Sequence, residues 1–177
     1  MHIPKLVFKI LRFHIRLLLP LFGFVFSLQT LADSAIPARQ LKPKIIGNSP
    51  LKGKTISLED ITKFETEFTK YKTTSKYDKE ALEFEGLLSD KFLEHFGTNK
   101  TSKIKFKAID GYSVEISKEE WSKFPFLFVV KTNGAFLSPK EKGTFRLMWN
   151  FDTKKEISPE VFAPKAIWQI TEIEFID

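Results

Sequence analysis

The chain has 177 residues, 42% of them apolar and 28% charged, with 28 cations against 22 anions and no cysteine. This length suits one domain with a self-supporting core, and the absence of thiols excludes disulfides and thiolate-held metal sites. The formal charge of +6 is concentrated at the start: residues 1–32 hold four cations and no acid, leaving 24 cations against 22 anions in the other 145 residues, too even a balance for a nucleic-acid-binding domain with its basic stripe.

Met1 to Arg16 carries Lys5, Lys9, Arg12 and Arg16, and an apolar run from Leu17 to Leu28 follows, closed by Thr30-Leu-Ala32. Residues 1–32 therefore read as a secretory signal peptide. The apolar run is shorter than the roughly 20 residues of a bilayer crossing, and Pro20 and Gly23 interrupt it; an uncleaved anchor is the alternative. Arg12 and Arg16 are not adjacent, so the twin-arginine pair is absent and the route is Sec-type export to the periplasm. After cleavage no stable membrane insertion is expected.

Residues 33–50, with Pro37, Pro43, Gly47 and Pro50, read as an extended leader, and residues 51–177 as a single domain. Within the domain, Lys54 to Leu58 suggests a short strand, and Ser57 with Asp60 a capping box that opens a short helix through Phe64. Threonines and an alternating Phe68 predict a strand over Glu65 to Thr74. Ser89 is placed to cap a helix whose Phe92, Leu93 and Phe96 share a face, with Gly97 as its stop.

Ile104, Phe106 and Ala108 alternate with lysines, and beyond the Asp110-Gly111 turn Tyr112, Val114 and Ile116 continue the pattern: a half-buried hairpin. Ser117 to Glu120 is a second capping box, opening a helix that Pro125 ends. Phe126 to Val130 is apolar on both faces, a buried strand turned back at Asn133-Gly134. In the last strand Trp168 and Ile170 have one parity, Ile173 and Phe175 the other, which calls for a bulge near Thr171. The fold class is α+β, mixed short strands and short helices around one core, packed by the fourteen phenylalanines and three tryptophans that follow residue 32.

Four segments taken in order, Asp110-Gly-Tyr-Ser-Val-Glu-Ile116, Asn133-Gly134, Lys142-Gly-Thr-Phe-Arg-Leu-Met-Trp149 and Ile167-Trp-Gln-Ile-Thr-Glu-Ile-Glu-Phe175, resemble the closing half of the sulfite-oxidase-like, molybdopterin-binding fold. The resemblance covers Ile45 to Asp177, more loosely in its first half. It implies a pterin cofactor whose molybdenum is held by a cysteine about a dozen residues before the glycine of Phe84-Glu-Gly-Leu-Leu. Counting back from Gly86 reaches Thr74, whose neutral hydroxyl cannot replace a thiolate on a soft metal. Where the family carries a K-S-x-K-W phosphate cluster, this chain has Pro164-Lys-Ala-Ile-Trp168, leaving Lys165 alone.

The site residues implied are thus Thr74, Arg146 and Lys165, as a vestigial cofactor pocket without a catalytic or metal-ligating residue. Each has a second reading. Thr74 suits any strand, and Arg146 either faces a bound anion or pairs on the solvent side of its strand. Asp110 and Tyr112 are assigned to the hairpin turn and the core. His95, the one histidine after residue 32, suits a helix C-terminus better than catalysis. Lys100, Lys103, Lys105 and Lys107 form a stripe read as a solvated face or edge protection, with weak attraction to anionic headgroups as the alternative. Glu119-Glu120 and Glu172 with Glu174 read as solvated acids. Two functions remain: a periplasmic binding module, not an enzyme and without a cofactor, whose partner is a small ligand or a membrane sensor protein, or a molybdopterin-binding oxidoreductase with atypical metal ligation.

Overall fold

The computed structural model describes residues 35–140 and 142–177; the segment read as a signal peptide lies outside the described residues. Within them the chain is α+β, with two sheets and four short α-helices. No helix among the described residues is long and apolar enough to cross a membrane.

The first sheet runs β1 (Lys44–Gly47), β9 (Ile170–Ile176), β4 (Lys103–Ala108), β5 (Ser113–Ser117), with β1 parallel to β9 and the other pairs antiparallel. The stretch read as a leader thus contributes an edge strand, held by the buried Ile45. In the second sheet, β2 (Thr69–Ser75) pairs with the eleven-residue β3 (Asp78–Leu88), β3 with β6 (Leu127–Thr132), and β6 with both β7 (Ala135–Phe136) and β8 (Arg146–Met148).

Alternation decides which side chains meet. Ile104, Phe106, Val114, Ile116, Ile173 and Phe175 of the first sheet and Leu87, Phe128, Val130 and Leu147 of the second share the main core. Helix α2 (Ser89–Phe96) is wedged against both sheets: the Phe92 ring lies 4.6 Å from that of Phe128, 6.1 Å from Phe106 and 6.0 Å from Phe175. The other face of the second sheet carries a smaller cluster of Phe84, Leu127, Val129, Leu137 and Met148. β6 is apolar on both faces because each is covered.

Both hairpin turns form as predicted. Asn133 (φ 50°) and Gly134 (φ 81°) make the two-residue link between β6 and β7, and Gly111 (φ 88°) closes the β4–β5 turn by donating to Ala108 O at 3.0 Å. The bulge near Thr171 is present: Lys107 faces Glu172 and Ala108 faces Ile170, so Thr171 is the extra residue and Ile170, Ile173 and Phe175 are all buried. The lysine stripe is not edge protection, since β4 lies between β9 and β5. Lys105 stands opposite Glu115 and Glu174, Lys107 opposite Glu172, and Lys103 reaches Glu115 at 2.9 Å, so acids face the three lysines that lie on β4, while Lys100 precedes the strand.

Other expectations shift. Lys54 to Leu58 forms no strand; Thr55 makes a single bridge to Lys44, and Ile56 N–H donates to Pro43 O at 2.9 Å. Glu65–Glu67 is a 3₁₀ turn, and β2 starts only at Thr69. Leu88, not Ser89, is the N-cap residue of α2, because β3 runs straight into the helix. Tyr112 lies outside the core, 49% exposed at the end of its hairpin. His95 stacks on Phe64 at 3.7 Å and meets Glu67 at 3.2 Å, as befits a structural residue in the last turn of α2.

Both predicted capping boxes are made, Ser57/Asp60 on α1 (Leu58–Thr62) and Ser117/Glu120 on α3 (Lys118–Lys123). Hydrogen bonds from Lys63 and then from the Ser57 backbone and hydroxyl hold the Asp60 carboxyl down at about 2. Its folded pKa lies below the unfolded value of roughly 4, so its stabilisation is complete above that value and lost as pH falls through about 2. Asp60→Asn is therefore expected to remove about 1 kcal/mol at pH 7 and much less at pH 2, read by urea denaturation at the two pH values.

Candidate functional site

β8 is three residues long and lies against the first half of β6, with Arg146 opposite Val129 and Met148 opposite Leu127. Alternation sends Leu147 into the main core and Arg146 to the face of the smaller apolar cluster. Arg146 is therefore a cation among apolar groups, 1% exposed, its guanidinium 4.9 Å from the centre of the Phe84 ring. The reading that set it on the solvent side of its strand does not hold.

A buried guanidinium needs a counter-charge. Asp78, the first residue of β3, supplies it, accepting from Arg146 Nη2 at 3.3 Å. The same carboxylate accepts from Ser75 Oγ at 2.5 Å and from Lys142 Nζ, which also donates to Tyr77 O at 2.7 Å. Burial works against the ionised Asp78, but the hydrogen bonds from Lys142 and Ser75, with the charges of Arg146 and Lys142, outweigh it and hold its pKa below the ordinary value. Burial also lowers Arg146, against the pull of Asp78; guanidinium basicity still keeps it charged. Beside it, burial pushes the Tyr71 phenol far up, and its hydroxyl donates to Met148 O at 2.8 Å.

Arg146 lines a cleft of about 400 Å³ together with Asp78, Thr132, Asn133, Phe136, Lys140 and Lys142. Three cations face one carboxylate there, so the lining carries a net positive charge. Two buried polar atoms of this lining, Arg146 Nε and Thr132 Oγ1, have no hydrogen-bond partner among the described residues. An unmade buried hydrogen bond costs about 1–3 kcal/mol, and native proteins keep few of them. Both atoms are closed to solvent, so only a ligand that parts the lining beside Lys140 and Lys142 could reach them; the group that suits them there is an acceptor-rich anion, which a guanidinium can grip through Nε and an Nη together.

The other sequence candidates lie elsewhere. Thr74 is exposed on β2, its N–H and hydroxyl both donating to Asp152 at 2.7 and 2.6 Å; the threonine that points inward is Thr73. Thr74 lines a different cleft, with Lys76 and Pro159, from the one that Arg146 lines. Lys165 lines neither and is paired with Glu120. Asp78, Thr132, Lys140 and Lys142 carry no sequence motif of their own; the one signal was that Lys142 opens the segment that contains Arg146. No protein-family model matches the chain, and no curated protein matches it.

Proposed function

We propose that this chain is an exported, non-catalytic binding module of the sulfite-oxidase-like fold, which recognises a small anion in the cleft floored by Arg146. The observation that carries this reading is the pair of unpartnered buried groups, Arg146 Nε and Thr132 Oγ1, in a cleft lined by Lys140 and Lys142. The order of the hairpin, the Asn133-Gly134 turn, β8 and the bulged β9 supports the fold assignment. The basic and apolar start of the chain supports export to the periplasm, where the liganded module would report to a membrane sensor. Metal catalysis finds no support in the donor set: Thr74 spends both donors on Asp152, and the chain has no thiolate for a soft metal.

Thr132→Val tests the site without disturbing the charges. Removing a buried hydroxyl that has no partner is expected to leave the free protein as stable as before, or up to about 1 kcal/mol more stable. Titration calorimetry with inorganic phosphate and with acetate at low salt should show binding to the parent chain that weakens as salt rises. In Thr132→Val the affinity should fall about fivefold. Equal affinity in parent and variant, or no heat with any small anion, contradicts the reading.

A further inference from the structure

On the other side of the β2–β3 turn lies a second cleft of about 280 Å³, lined by Tyr77, Tyr112 and Trp168 together with Asp110 and Gln169. Its volume is at the small end for ligand sites, roughly 300–1,000 Å³. The two clefts share that turn as a wall: Tyr77 lines this one and Asp78 the other.

The chemistry here is the opposite of the first cleft. No lysine, arginine or histidine lines it, although the chain has 28 cations. Tyr77 and Trp168 meet edge to face, centroids 5.0 Å apart and planes at 72°, so they form two walls of a corner. Tyr112 is anchored beside them by its hydroxyl, which donates to Pro164 O at 3.0 Å. Asp110 Oδ1 accepts the Tyr112 N–H at 3.0 Å, and Oδ2 has no partner among the described residues. Gln169 spends its amide nitrogen on Pro139 O at 2.9 Å, leaving its carbonyl oxygen as an acceptor. Aromatic faces carry negative potential, and several of them around one space are the usual receptor for alkylated ammonium groups, which lack N–H donors and are weakly hydrated.

We infer that this cleft binds a small quaternary ammonium compound, its cationic head among Tyr77, Tyr112 and Trp168 and its charge opposed by Asp110. The ligand-facing groups differ from those of the anion cleft, neither Arg146 nor the lysines lining this space, although Lys142 holds the Tyr77 carbonyl of the shared wall.

The whole chain, labelled with nitrogen-15, is titrated with choline chloride at constant total chloride, and separately with 3,3-dimethyl-1-butanol, its neutral isostere. Of the three tryptophans, Trp121 and Trp149 are buried, so the indole N–H signal of the half-buried Trp168 reports on this cleft. Choline is expected to shift that signal saturably and the neutral isostere to bind about tenfold more weakly. Asp110→Asn keeps the side-chain oxygen that closes the turn and should weaken choline about tenfold while leaving the rest of the spectrum in place. Trp168→Ala should abolish binding, and Asp110→Asn keeps the test decisive if that variant does not fold. Equal binding of choline and its isostere, no loss in Asp110→Asn, or no shift at Trp168 overturns the inference.

Discussion

Gly86→Ala is expected to abolish folding, or to cost about 4 kcal/mol or more where some folded protein survives. A Cβ at this position would sit 2.0 Å from the Phe128 carbonyl oxygen and 2.8 Å from its carbon, and both obstacles are backbone. They belong to β6, the central strand of the second sheet, at the point where the β3–β6 register shifts between Glu85 and Gly86. No rotamer change relieves such a clash; β6 would have to leave β3, and the buried faces of both strands with it. Gly134→Ala is the contrast. Its backbone is left-handed at φ 81°, but nothing lies within 4 Å of the added Cβ, so only the conformational penalty of about 1–2 kcal/mol applies. Urea denaturation followed by circular dichroism separates the two; similar stabilities for both variants would mean that β6 does not approach β3 as described.

Arg146→Ala is expected to cost about 3–5 kcal/mol and to eliminate anion binding. The substitution empties space beside Phe84 and removes one partner of a buried carboxylate. Because Ser75 and Lys142 remain on Asp78, the loss should fall towards the lower end of that range. Asp78→Asn is expected to be costly for the reciprocal reason, leaving Arg146 buried with no counter-charge. Arg146→Ala combined with Asp78→Asn should then cost less than the two single changes together, since neither charge is left alone. Strict additivity in a double-mutant cycle would show that the two side chains do not form the pair seen at 3.3 Å.

What was legible in the sequence was what local chemistry controls. Two serines with acids three residues on became two capping boxes, the Asn133-Gly134 and Asp110-Gly111 turns formed, and the conflict of parity in the last strand required the bulge at Thr171. Gly86 was visible as a motif glycine, but its reason, a carbonyl from a strand some forty residues away, is tertiary. The candidate site was legible only in part, for the same reason. Arg146 stood out by its segment, yet its burial depends on how β8 lies on β6, and its counter-charge Asp78 sits 68 residues earlier in an unremarkable run of polar residues. Thr132 gave no sign at all, because an unsatisfied hydroxyl is a property of surroundings. Tyr112 was assigned to the core from alternation that continues through the turn, whereas β5 begins only at Ser113 and leaves the ring at the rim. Thr74 was reached by counting along the chain, and Asp152, which takes both its donors, comes from a loop that no count from Gly86 could include.

Elemental and pterin analysis of the chain, produced with residues 1–32 intact in a molybdopterin-competent host and purified from whichever compartment holds it, tests most directly whether it is a binding module and not a metalloenzyme. A folded, monodisperse protein with neither molybdenum nor pterin, still able to take up a small anion, is the expected result. Near-stoichiometric molybdenum together with a pterin would contradict it.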